Sequence, residues 1–210
     1  MHLDHVTVMI RNVAKAKDLF ALAAMLCVLV SCTTPLDTSG ERVTLPGPEW
    51  GVVIGSVLVR PEEVAPEKNA AGRDVSSSSY EFDIVSIQPG DPNGEGPYVQ
   101  QYRLDAKAGE ERIFIARLRS GQYLIRKFHE EGLTGLGGEL DVVFASMAGE
   151  VRYIGRMVVD IPRRMSKGKD YRFTIENARE PTLAEVSTTH PDLTKNAVNT
   201  PMQIRADDGP

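Results

Sequence analysis

A cysteine at the end of a short apolar run is the first feature of the sequence that could carry chemistry. The run Leu19–Val30 is twelve residues long, and Ser31 and Cys32 follow it. Twelve residues are too few for a transmembrane helix, which needs about 20, but they suit the apolar region of a signal peptide. Three basic residues stand before the run, as such a signal requires: Arg11, Lys15 and Lys17. The pattern predicts an N-terminal signal peptide.

The segment Leu29, Val30, Ser31, Cys32 resembles the bacterial lipobox, in which an aliphatic residue, a tolerant position and a small residue precede a cysteine. In lipoproteins with this motif the cysteine thiol receives a diacylglycerol, the chain is cut before the cysteine, and the new amino terminus is acylated. Only cysteine offers a thiol for the thioether, and Ser31 is small enough for a peptidase pocket. The resemblance implies lipidation of Cys32, whether translation starts at Met1 or at Met9.

Metal and cofactor sites have little support in the rest of the chain. Cys27 would leave with the signal and Cys32 would be lipidated, so neither a disulfide nor a cysteine metal site is expected. The remaining histidines, His129 and His190, belong to no His-x-His or helical i, i+4 pair. His129-Glu130-Glu131 could offer two ligand types, but a solvated turn is the favoured interpretation. We expect no metal and no cofactor.

Motifs for catalysis are also missing from the sequence. There is no Gly-x-Ser-x-Gly nucleophile elbow. The glycine-rich stretch 131–139 lacks the Gly-Lys-Ser/Thr of a phosphate-binding loop and opens no predicted helix. It is predicted to be a flexible hairpin loop, which could form part of a binding rim. We assign no catalytic residue and expect the protein not to be an enzyme.

A basic segment is the strongest binding candidate on the predicted domain. Within 163–172 five cations surround a turn at Gly168, and they are Arg163, Arg164, Lys167, Lys169 and Arg172. A solvated hairpin is the simpler interpretation. The alternative is contact with anionic lipid headgroups or with an acidic partner, because each surface cation adds about 1 kcal/mol near an anionic leaflet.

Charge and composition divide the chain into four predicted segments. The chain has 24 Lys and Arg and 29 Asp and Glu, and three of the basic and two of the acidic residues lie in 1–31, so 32–210 carries a net charge of −6. Such an acidic domain is not expected to bind nucleic acid. The predicted segments are a lipoprotein signal peptide (1–31), a flexible tether from lipidated Cys32 (32–49), a β domain (50–198) and a disordered tail (199–210).

Eight short β-branched and aromatic runs predict an all-β fold. They are 50–60, 80–88, 98–104, 112–118, 122–128, 140–146, 151–161 and 171–177. Alternation places Val151, Tyr153, Met157 and Val159 on one face of their strand. No helical pattern of ten residues separates the strands, so parallel crossovers are not expected. The pattern predicts an antiparallel two-sheet sandwich of seven to eight strands, followed by one short helix within 180–193.

The stretch LRSGQYLIRKF (118–128) resembles the Gly-x-Tyr-x-Leu hairpin of transthyretin-like and carboxypeptidase-regulatory-like β-sandwich domains. Two more stretches, AGEVRYIGRM (148–157) and LAEVSTTHPDL (183–193), resemble proteobacterial lipoproteins that carry such a sandwich. The resemblance implies a turn at Gly121, Tyr123 in the core, and no catalytic chemistry. Tyr123, Ile125, Tyr153 and Phe173 are predicted to be buried.

These patterns together predict a lipid-anchored cell-envelope protein with a non-catalytic binding or structural β-sandwich. Thr33 follows Cys32, and by analogy with Gram-negative sorting a residue other than aspartate there favours the outer membrane, facing the periplasm. The expected partners are the membrane, through the lipid, and an envelope protein. Two alternatives stay open, namely an envelope hydrolase that processes carbohydrate or peptide, and an accessory subunit of an export or assembly system.

Replacing the thiol tests the anchor directly. Cys32→Ser should abolish membrane association and leave an unprocessed precursor, because no other position of the motif can be lipidated, and stable anchoring needs about two acyl chains. Cys27→Ser is the matched control and should leave membrane association unchanged. Metabolic labelling with a fatty acid is the measurement, and wild-type protein that takes up no label would contradict the prediction.

Overall fold

The computed structural model describes residues 33–37, 43, 47–62, 73–74, 76–96, 99–132, 136–162, 164–165 and 171–205. The chain divides into two compact units, Met1–Thr33 and Thr34–Pro210. Of the first unit only Thr33 is described, so the predicted signal peptide and the lipobox lie outside the described residues.

The second unit is built mainly of β-strands. Its strands are β1 (Thr34–Pro35), β2 (Trp50–Pro61), β3 (Arg73–Asp74), β4 (Ser79–Ile87), β5 (Gln101–Lys107), β6 (Glu111–Arg119), β7 (Gly121–Glu130), β8 (Gly137–Ser146), β9 (Val151–Ile161), β10 (Arg164–Met165), β11 (Arg172–Glu176), β12 (Val198–Asn199) and β13 (Gln203–Ile204). Its helices are α1 (Arg179–Ser187) and α2 (Pro191–Thr194). All eight predicted strands are present, as β2, β4 to β9 and β11.

The strands form two main sheets, which confirms the predicted all-β two-sheet sandwich. The first sheet has the order β1-β5-β4-β7-β8-β13. The second sheet has the order β11-β9-β2-β6, and β12 pairs with β9. A separate two-stranded ribbon joins β3 to β10. Apolar side chains of the two sheets meet in one core that contains Phe82, Phe128 and Tyr123.

The expectation of purely antiparallel pairing is wrong for the two central strands of the second sheet. Strands β2 and β9 pair in parallel, from Val52 opposite Val151 to Pro61 opposite Ile161. No crossover helix is needed, because the chain between them builds most of the first sheet and β6. Both strands are buried along most of their length, and such nearly continuous apolar runs are typical of parallel strands covered on both faces.

A bulge at Gly155 changes which face of β9 each side chain occupies. The register between β2 and β9 shifts at Ile54 and Ser56, and Gly155 has a φ of 95°, which favours glycine. As a result Tyr153 lies in the apolar cluster outside the sandwich, whereas Met157 lies in the core between the sheets. The predicted common face for Val151, Tyr153, Met157 and Val159 is therefore wrong.

The outer cluster is covered by the two helices. Val52, Ile54 and Tyr153 of the second sheet pack there with Leu183 of α1 and Leu193 of α2. The Tyr153 hydroxyl accepts a hydrogen bond of 3.0 Å from the backbone N–H of Ala178, next to the start of α1. The sequence predicted one short helix here, and the structure has two. Among the described residues no helix has the length and hydropathy needed to cross a bilayer.

Burial agrees with the prediction for three of the four core residues named from sequence. Tyr123, Ile125 and Tyr153 are buried. Phe173 is only partly buried, because β11 is an edge strand that packs against the margin of the core. Gly121 does not form the turn of a hairpin, because β6 and β7 belong to different sheets and the chain crosses between them at Ser120.

Residues 199–205 belong to the sandwich. Strand β12 pairs with β9 and β13 pairs with β8, and Met202 between them is 3% exposed. The last strands therefore join the second sheet to the first. The predicted disordered tail is wrong for 199–205, and 206–210 lie outside the described residues.

The segment directly after residue 32 is also bound to the sandwich. Strand β1 pairs in parallel with β5, and the backbone N–H of Leu36 donates to the carbonyl of Arg103. Leu36 is 2% exposed in the core, and the carboxylate of Asp37 accepts from the backbone N–H of Ile115 on β6. The segment thus bonds to an edge of each sheet. The predicted flexible tether is wrong for residues 34–37.

Removal of the Leu36 side chain tests this docking. Leu36→Ala should lower the free energy of unfolding by about 2–5 kcal/mol, because it leaves a cavity in the core. Met147→Ala is the matched control, since Met147 is 44% exposed, and it should change stability by less than about 0.5 kcal/mol. Denaturant unfolding of both variants is the measurement, and equal stabilities would mean that β1 is not part of the folded unit.

Candidate functional site

The candidate residues named from sequence are only partly covered by the structure. The lipobox residues Leu29, Val30, Ser31 and Cys32 lie outside the described part of the chain, as do Arg163, Lys167 and Lys169. Arg164 lies in β10, which pairs with β3. Arg172 is the exposed first residue of β11. Contact of this basic segment with an anionic surface therefore stays a prediction.

The strand directions place β1 and Arg172 at opposite ends of the sandwich. We call the end where β2 and β5 begin and β6 finishes the proximal end; Thr34 lies there, opposite Tyr102. The distal end is where β2 and β9 finish, and Arg172 lies there, opposite Asp160. A nine-residue strand such as β6 spans roughly 30 Å. Thr34 and Arg172 therefore lie far apart, at opposite ends of the strands.

The two histidines considered as metal ligands are used differently. His129 Nε2 lies 3.5 Å from a carboxylate oxygen of Glu81. His190 Nδ1 lies 2.8 Å from the hydroxyl of Thr189, its neighbour in sequence. Within the described ranges no three His, Cys, Asp or Glu side chains are grouped as metal ligands.

The described glycines of the stretch 131–139 have structural roles. Gly132 has a φ of 74° in the turn after β7. Gly138 lies in β8, where a Cβ atom would come within 2.0 Å of the Tyr171 ring. Tyr171 packs edge-on against Phe128 with ring centroids 5.1 Å apart, and its hydroxyl donates to the carbonyl of Glu139. The absence of a side chain at Gly138 therefore leaves space for the ring of Tyr171, the residue before β11.

A groove of about 730 Å³ lies beside the β7–β8 ribbon and is the candidate site. Its walls come from distant parts of the sequence: the loop after β4, strands β7 and β8, strand β11 and the last residues of β13. Aliphatic, aromatic and charged side chains line it, among them Asn93, Leu124, Arg126, Asp141, Tyr171 and Arg205.

Asp141 and Arg205 hold two walls of the groove together. Asp141 has a φ of 52°, and it sits at a bulge in the β7–β8 pairing next to Ile125 and Lys127. Its carboxylate lies 2.6 Å from Arg205 Nη2. Arg205 also donates to the carbonyl of Pro92, at 2.8 Å, and to Asn93 Oδ1. Left-handed backbone of this kind costs about 1–3 kcal/mol and persists where the surroundings fix it.

The loop after β4, which forms another wall of the groove, is held by the carboxylate of Asp91. Asp91 accepts hydrogen bonds from the backbone N–H groups of Glu95, at 3.0 Å, and Gly96, at 2.7 Å. These bonds favour the charged form and lower the pKa of Asp91 below its usual value. Asp91 is charged at neutral pH, where these bonds order the loop. The stabilisation is lost as the pH falls through the lowered pKa, because Asp91 becomes protonated.

The chemistry of the groove favours binding. Arg126 is paired with Asp83, with Nη2 2.5 Å from the carboxylate, and Lys127 lies 3.8 Å from the same group. Burial raises the pKa of Tyr171, so its hydroxyl remains a proton donor at neutral pH. Tyr171 stacks on Phe173 at 6.4 Å, which adds an aromatic wall. The groove can hold a ligand that has both polar groups and an apolar surface.

Sequence reasoning missed most of this groove. Arg205 lies in the predicted tail, and Asp141 lies in a strand without any motif around it. Their proximity depends on β13 pairing with β8, which short-range patterns do not reveal. Only the glycine-rich stretch 131–139 was named as part of a possible binding rim, and its Gly138 does lie beside the groove residue Tyr171.

Comparison of the chain with models of protein families, with curated proteins and with solved structures finds no match.

A methyl group at Gly138 tests how the aromatic wall is held. Gly138→Ala should displace Tyr171 and cost about 1–3 kcal/mol of stability, because the core cannot accept the added atom without strain. Gly121→Ala is the control, since a Cβ atom there meets nothing within 4 Å, and it should stay within about 0.5 kcal/mol of wild type. Denaturant unfolding measures both, and equal values would show that Tyr171 is not packed on β8.

Proposed function

We propose that this protein is a lipid-anchored cell-envelope protein whose β-sandwich binds a ligand or a protein partner without catalysing a reaction. The lipid is carried by Cys32, and the proposed location is the outer membrane, facing the periplasm. The lipobox resemblance supports the anchor. The resemblance of 118–128 to transthyretin-like domains implies no catalytic chemistry, and of its features the buried Tyr123 is present while the hairpin turn at Gly121 is not. The anchor and the non-catalytic role remain proposals.

The groove beside β7 and β8 is the observation that carries the binding function. Its volume of about 730 Å³ lies within the range of about 300–1,000 Å³ that is typical of ligand pockets. Ile204 lines it and is 50% exposed, so it offers apolar surface inside the groove. An apolar group of a ligand or partner would cover this side chain.

Charged side chains of the groove are fixed in ion pairs. The carboxylate of Asp141 is paired with Arg205, and Arg126, which also lines the groove, is paired with Asp83. These pairs hold the walls in place. An accessory role in an export or assembly system is compatible with the same groove, because its ligand could be a segment of another envelope protein.

Recovery of partners from native membranes tests the proposal. Lipidated wild-type protein should recover a partner or ligand that Ile204→Arg does not, because the new guanidinium would fill the groove. Val198→Arg is the matched control: Val198 is 48% exposed on β12 and does not line the groove. Mass spectrometry of the recovered material is the measurement. The same recovered set with all three proteins would contradict a binding role for the groove.

A further inference from the structure

Covalent geometry fixes how far the proposed lipid can lie from the sandwich. Two peptide bonds separate Cys32 from Thr34, and consecutive Cα atoms are about 3.8 Å apart, so the two Cα atoms lie within roughly 8 Å of each other. Thr34 is paired with Tyr102 at the proximal end. A lipid on Cys32 would therefore bring the proximal end to the membrane surface.

A chain of contacts leads from β1 to an exposed cluster at this end. The rings of Tyr102 and Tyr123 lie 6.1 Å apart, and the Tyr123 hydroxyl donates to the carbonyl of Arg119 at 2.9 Å. Arg119 is the last residue of β6 and pairs with Trp50, the first residue of β2. Each of these groups is held by the core or by the sheet, so their positions relative to β1 are fixed.

Trp50 and two arginines form this cluster, which we call the tryptophan–arginine cluster. The guanidinium carbons of Arg117 and Arg119 lie 5.3 Å and 5.5 Å from the centre of the Trp50 ring. Both arginines are exposed, and among the described residues no ion pair is recorded for either of them. Two cations stacked on one indole keep their outer N–H groups available to phosphate oxygens.

The surroundings of the cluster add an apolar side chain and few competing charges. Met147, which is 44% exposed, lies in the turn between β8 and β9, and Gly149 in that turn donates to the carbonyl of Trp50 at 3.0 Å. Glu150 faces Arg152 at 2.8 Å. Glu49, next to Trp50, is the nearest acidic neighbour in sequence and is exposed.

We propose that the tryptophan–arginine cluster lies against the anionic headgroups of the membrane that carries the lipid, an inference that rests on the proposed anchor at Cys32. Tryptophan is enriched at the level of the headgroups because its ring is apolar and its N–H is polar. The arginines bind lipid phosphates, and Met147 enters the boundary between headgroups and acyl chains. The proximal end of the domain then faces the membrane, and Arg172 at the distal end lies away from it.

The single tryptophan of the chain makes the contact measurable, because all tryptophan emission comes from Trp50. The lipidated full-length protein is reconstituted into phosphatidylcholine vesicles with or without phosphatidylglycerol, and part of the phosphatidylcholine is brominated to quench nearby tryptophan. Emission with brominated lipid is divided by emission without it for each variant, which removes any direct effect of a substitution on the fluorophore. Vesicle flotation of the same samples reports the anchor separately.

Trp50 should be quenched, more strongly with phosphatidylglycerol and less at high salt, because screening weakens attraction to the surface. The double variant Arg117→Glu, Arg119→Glu should lose most of the quenching, since each cation strengthens association with an anionic surface about fivefold. Arg172→Glu, at the distal end, is the matched control and should quench like wild type.

Three results would overturn the inference. Protein that floats with the vesicles while Trp50 stays unquenched would leave the anchor in place and exclude this orientation. Equal quenching of wild type and the double variant would exclude the role of the arginines. Protein that does not float would contradict the anchor itself, and with it the orientation that depends on it.

Discussion

The docking of residues 34–37 is the constraint on which the functional geometry depends. Leu36 fills the core while its N–H binds Arg103 of the first sheet, and Asp37 binds the N–H of Ile115 in the second sheet. One short segment thus closes one side of the sandwich. If Cys32 is lipidated, the same segment keeps the domain close to the membrane, so the fold itself determines which surfaces face the bilayer and which face away from it.

The order of elements was accessible from sequence because it depends on local patterns. Alternation and turn residues located every long strand to within a few residues, since a half-buried strand has a period of two. The parallel pairing of β2 and β9 was missed, because it is a contact between strands far apart in sequence. The face of Tyr153 was missed because a bulge at Gly155 reverses the alternation. The sequence alone does not show whether a glycine inside a strand forms a bulge.

The candidate site was less accessible for a related reason. The docking of 34–37 and the pairing of 199–205 were both missed. These segments contain Thr, Pro and Asn, which are typical of loops. Each places only one large apolar residue in the core, Leu36 in the first and Met202 in the second. Composition describes a segment by its average, whereas one buried side chain and a few backbone hydrogen bonds decide whether it is ordered. The groove depends on such a segment, because Ile204 and Arg205 line it.

The parallel pairing of β2 with β9 also determines when the protein can fold. The partner of β2 follows about a hundred residues later in the chain, and closing so long a loop is entropically costly and slow. The first sheet is completed later still, when β13 reaches β8. A chain synthesised from its amino terminus can pair one edge of β2 with β6, but the other edge of β2 stays unpaired until β9 has been made. Such a chain depends on protection from aggregation during this interval.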